Sequence, residues 1–69
     1  MKLEELPMGV LRRLEAWLAE ELAQAERRLV QAAEAGESVA PYAGATKAIR
    51  QLRTRVLQAM EVKNGRPGD

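Results

Sequence analysis

Apolar residues recur along the first half of the chain at steps of three and four: Leu11, Leu14, Leu18, Leu22, Ala25, Leu29, then Ala32 or Ala33. At about 100° per residue they fall within an arc of roughly 100°, the single stripe of an amphipathic helix. Their mean step is about 3.7 residues, so this helix is expected to run nearly straight. In the second half, Tyr42, Ala45, Ile49, Leu52, Val56 and Ala59 alternate steps of three and four strictly, which is the a/d seam of a second helix.

Breaks in the pattern set the limits. Pro7 and Gly9 blur the first helix start, where a proline is tolerated because its missing N–H would be unbonded anyway. Gly36 suits the left-handed position after a helix end, Ser38 is a candidate N-cap with Ala40 as the poorer alternative, and Pro41 suits an opening turn. The run Asn64-Gly65-Arg66-Pro67-Gly68-Asp69 ends the second helix. The spacing therefore predicts an all-α antiparallel two-helix hairpin, with helices over 8–35 and 41–63 joined by a connection at 36–40. One helical domain over 1–63 would precede a flexible polar tail at 64–69. In the simplest register Leu29 lies near Ile49, Ala25 near Leu52 and Leu22 near Val56. Leu18, Leu22, Leu29, Ile49, Leu52 and Val56 are then the expected core.

Such a hairpin does not bury all its apolar residues. Val10 and Trp17 lie about 90° from the centre of the first seam, beside Leu14. Leu57 and Met60 flank the second seam near the same end, with Leu3, Leu6 and Met8 close by. Val10, Leu14, Trp17, Leu57 and Met60 are the candidate interface. A helix of about 28 residues is roughly 42 Å long, whereas a compact globule of this chain length has a radius of gyration of about 11 Å. A homo-oligomer is expected, most simply a dimer closing a four-helix bundle, with a foreign protein as another partner for the same patch. The alternative cover is the chain's own N-terminus folded back over Trp17.

Composition narrows the chemistry. The 69 residues include neither cysteine nor histidine, which removes thiol catalysis, disulfides, the commonest general base and the usual transition-metal ligand. Ser38, Thr46, Thr54 and Tyr42 have no histidine to activate them. The glutamates read as a solvated helix face; Glu20 and Glu21 point about 100° apart and share no site. No phosphate-binding glycine loop or calcium-loop spacing occurs. The expectation is a non-enzymatic assembly, adaptor or regulatory module with no catalytic, cofactor-binding or metal-ligating residue.

Charge adds one further reading. Residues 1–37 hold five bases against eight glutamates, a net of −3, while residues 38–69 hold six bases against two acids, a net of +4. An acidic helix beside a basic one explains this by pairing across their contact. The alternative is a small nucleic-acid-binding protein using Lys47, Arg50, Arg53 and Arg55. These four spread over roughly 200° instead of forming one stripe, and the chain has one Trp and one Tyr for base stacking. A long helix rich in glutamate does not suit a membrane surface, and no apolar run approaches the roughly 18 residues of a span. Without the apolar core of a signal peptide, the chain is expected in the cytoplasm.

Overall fold

The computed structural model describes residues 2–64. A short 3-10 turn, Leu3–Glu5, precedes two long helices, α1 (Met8–Glu34) and α2 (Ala40–Asn64). The helices pack on each other as a hairpin, which is the all-α architecture the apolar spacing predicts. Asn64, expected in the tail, closes α2, and residues 65–69 of that tail lie outside the described residues.

Local chemistry explains the ends. Pro7 stands at φ −58° ahead of α1, and its carbonyl accepts from the amides of Val10 and Leu11 at 3.0 and 3.1 Å. It offers no side-chain acceptor, hence the weak start signal. Gly36 ends α1 at φ +74°. Its N–H donates to Ala33 O at 3.2 Å and that of Glu37 to Ala32 O at 2.9 Å, the paired bonds of a Schellman closure. α2 follows almost at once. The Val39 carbonyl accepts from Ala43 at 2.8 Å, so Val39 holds the cap position expected of Ser38, and Pro41 sits in the first turn, where it removes no helical bond.

The core is small. Leu11, Leu18 and Val56 are its fully buried large side chains, joined by Leu22, Ala32 and Ala59. Leu3, Leu6, Leu14, Ile49 and Met60 pack around the central cluster. Leu18, Leu22 and Val56 are thus buried as expected, while Leu29 and Ile49 are half-buried. Leu52 is not in the core at all: it is 40% exposed. Thr46 is buried in its stead, its hydroxyl donating to the Tyr42 carbonyl at 2.8 Å, so that burial leaves no polar atom unmet.

The face that α2 turns to α1 therefore runs through Thr46, Ile49, Arg53, Val56 and Met60, rotated by about 50° from the predicted seam at 100° per residue. The rotation brings Arg53 onto Glu15, with Nε and Nη2 at 3.0 and 2.9 Å from Oε1, and Arg50 to 3.6 Å from Glu26. These two pairs differ from each other by eight residues in offset and so bracket the register. Their midpoint sets Trp17 about level with Arg55, Glu21 with Leu52 and Ala25 with Ala48. That differs by about six residues, roughly 9 Å of helix, from the simplest pairing read from the sequence.

The molecule measures 54 × 19 × 16 Å, with a radius of gyration of 15.3 Å. A compact chain of this length would have about 11 Å. The fold is one layer of two helices. Among the described residues, no helix is long and apolar enough to cross a membrane.

Candidate association surface

A two-helix layer has two flanks, and the ion pairs identify one of them. Glu15 and Glu26 lie on one side of the packed stripe of α1, Arg50 and Arg53 on the matching side of α2. Trp17 lies two residues after Glu15, about 200° further round the helix, and so belongs to the opposite flank. Val10 and Leu14 share that edge, at steps of seven and three from Trp17. Val10 is 43% and Trp17 53% exposed, and Leu14 is half-buried. On α2, Leu52 falls about 100° from Arg53, on the side away from the ion pairs, with Ala45 and Ala48 in its row. Trp17, Leu14, Leu52, Ala45 and Ala48 thus face the same way.

Three of the five interface candidates, Val10, Leu14 and Trp17, are brought together on this flank. Met60 is half-buried and packs against the intrachain core. Leu57 is exposed but stands four residues after Arg53 and seven after Arg50, on the ion-paired flank, so it does not meet Trp17. Leu52 and Ala45 belong to the seam predicted against α1, and Ala48 to no predicted face. The signal for Leu52 and Ala45 was present as the predicted seam itself, whose centre points between the partner helix and this flank.

The N-terminal segment does fold back, though not over Trp17. Its turn is held by the Leu6 amide on Leu3 O at 3.0 Å, by the Lys2 amide donating to the Glu5 carboxylate at 3.4 Å and by Lys63 Nζ donating to Glu4 O at 3.0 Å. Leu3 and Leu6 join the core cluster, and the turn borders a shallow cleft with Arg55, Gln58, Ala59 and Val62. This plugs the open end of the hairpin and leaves the indole uncovered.

The basic residues of α2 are divided. Arg53 is partly buried on Glu15, and Arg50 reaches Glu26 where both side chains are exposed. Among the described residues Lys47 and Arg55 make no ion pair, and they stand about 80° apart on the outer half of the helix. The described residues also hold no group of three or more acidic side chains gathered as for a metal ion. Comparison with family models, with curated proteins and with solved structures returns no match, so the surface must be read from its own chemistry.

Proposed function

We propose that this protein is a non-enzymatic helical module that acts by association, first with itself and, through the assembled form, as an adaptor or regulatory protein. One observation carries the reading: a 19 Å wide flank of a single-layer fold presents Trp17 half exposed, with Val10, Leu14 and Leu52 on the same side. Aromatic side chains in such settings dominate interface energies. The small core supports the same reading, because three fully buried large side chains are few for a domain that stands alone. Nucleic-acid binding by α2 has less support, since Arg50 and Arg53 are already engaged by glutamates.

The test is the dependence of mass and melting on concentration. Light scattering after size exclusion is expected to give twice 7.6 kDa at high micromolar concentration, falling toward the monomer on dilution. The melting temperature is expected to rise with concentration. A constant monomer mass with full helicity refutes the proposal. Binding to a random duplex that collapses between low and moderate salt would instead favour the phosphate-contact reading.

A further inference from the structure

We infer that the Trp17 flank is covered by a second copy of this chain, related by a two-fold axis parallel to the helices, so that α1 of each copy lies on α2 of the other. The inference rests on the association reading above and assigns its face and geometry.

The flank is regular on both helices. On α1, Trp17, Glu21 and Ala25 follow one another at steps of four, and on α2 Ala48, Leu52 and Arg55 at steps of four and three. Both sets lie on the edge away from the Glu15–Arg53 and Glu26–Arg50 pairs. Such a face can meet its own copy with helices aligned in two ways. An axis across the helices stacks α1 on α1 and α2 on α2. An axis along them stacks α1 on the partner's α2.

Charge separates the two. α1 itself holds four bases against five glutamates, a net of −1, with Arg28 on this flank, whereas α2 holds five bases against one glutamate, a net of +4. The first arrangement sets the two basic α2 helices on each other, and the second keeps them apart. Register supports the second. A two-fold axis along the helices preserves heights, so each residue of α1 meets the residue of the partner's α2 that is level with it within one chain. Ala48, a small residue, then lies level with Ala25, at the border of the packed stripe of the partner's α1. Trp17 faces Arg55, which suits a guanidinium over an indole ring. Glu21 and Arg55 are offset by the same amount as Glu26 and Arg50, which do meet at 3.6 Å. Among the described residues neither Glu21 nor Arg55 has an ion-pair partner within its own chain.

Area sets the strength. The face is 19 Å wide, and from Trp17 to the end of α1 it runs roughly 27 Å at 1.5 Å per residue. Two copies would bury about 1,000 Å² in total, near the lower limit for specific association. An interface of that size suits a reversible dimer.

Sedimentation or light scattering over a concentration series, with far-UV circular dichroism as the check on folding, tests the assignment. Leu52→Lys and Trp17→Lys are expected to give monomers that keep their helicity, because both side chains are exposed within the hairpin. Leu57→Lys, on the other flank, is expected to leave the dimer unchanged. Glu21→Arg or Arg55→Glu alone is expected to weaken association at least tenfold, and the two together to restore it. A wild-type protein that stays monomeric overturns both the association reading and this one. A wild-type dimer that survives Leu52→Lys and Trp17→Lys overturns the face alone. Loss of the dimer in those variants without rescue by the paired charge reversal overturns the axis. If Leu52→Lys proves unfolded, the charge-reversal pair decides.

Discussion

Leu11→Ala and Leu52→Ala are the same chemical change at two positions that the structure treats oppositely. Each removes three carbons, about 2.4 kcal/mol of transfer free energy if fully buried, at about 0.8 kcal/mol per carbon. Leu11 is fully buried among Leu18, Val56 and Ala59, with Leu3 and Leu6 over it. Its removal also leaves a cavity, which at about 24 cal/mol per Å³ of unfilled volume brings the cost to roughly 3–5 kcal/mol. Leu52 is 40% exposed, so truncation loses about 1.4 kcal/mol and opens onto solvent without a cavity. A chain of 69 residues has a total stability of about 3–10 kcal/mol. Leu11→Ala is therefore expected to lower the melting point by roughly 15 °C or more, or to unfold the protein at room temperature. Leu52→Ala is expected to lower it by less than about 10 °C in dilute solution, and by more at high concentration, where association adds to stability. Thermal melts followed by circular dichroism at two concentrations read both. Equal losses at low concentration refute the register described here, and a larger loss for Leu52→Ala would restore the seam predicted from spacing.

The glycines give a signed contrast. Gly36→Ala is expected to cost about 1–2 kcal/mol, because position 36 has φ +74° and a Cβ there meets no neighbour, leaving backbone strain alone. Gly9→Ala and Gly44→Ala, in helical backbone with equally open surroundings, are each expected to stabilise by about 0.5–1 kcal/mol; urea titration measures all three. Deleting residues 1–6 removes Leu3 and Leu6 from the core cluster and is expected to lower the melting point while leaving the emission maximum of Trp17 in place. A red shift on deletion would show that the N-terminus covers the indole after all.

The sequence held the fold more openly than the register. Long runs of apolar residues at steps of three and four, with Gly36 and Pro41 between them, specify two helices and a turn because each signal is local. α1 also carries a narrow stripe, so Leu11, Leu18 and Leu22 have one way to be buried. α2 is different. Its apolar side chains from Ala48 round to Leu57 cover half the helix, and a wheel drawn from them has no sharp centre. The edge that meets α1 is the one from which Arg53 and Arg50 reach Glu15 and Glu26 across the hairpin. Arginine stems cover apolar surface while their heads stay polar, so a packed arginine at the helix contact reads, in a sequence, as a solvent position.

The same property explains why the association face was legible only by half. Val10, Leu14 and Trp17 stood out because α1 had a clear stripe for them to lie beside. Leu52 did not, because a strict a/d seam suggests one partner helix, and Leu52 sits at its middle. The rotation of α2 splits that seam: Val56 goes to the intrachain core, while Ala45 and Leu52 remain outside it, and Ala59, about 20° further round than Leu52, is buried beside the N-terminal turn. A helix whose apolar arc exceeds what one neighbour can cover is built for two neighbours. On the association proposed above, the second neighbour comes from another molecule, and the surplus lies on the flank where α1 also leaves its tryptophan uncovered.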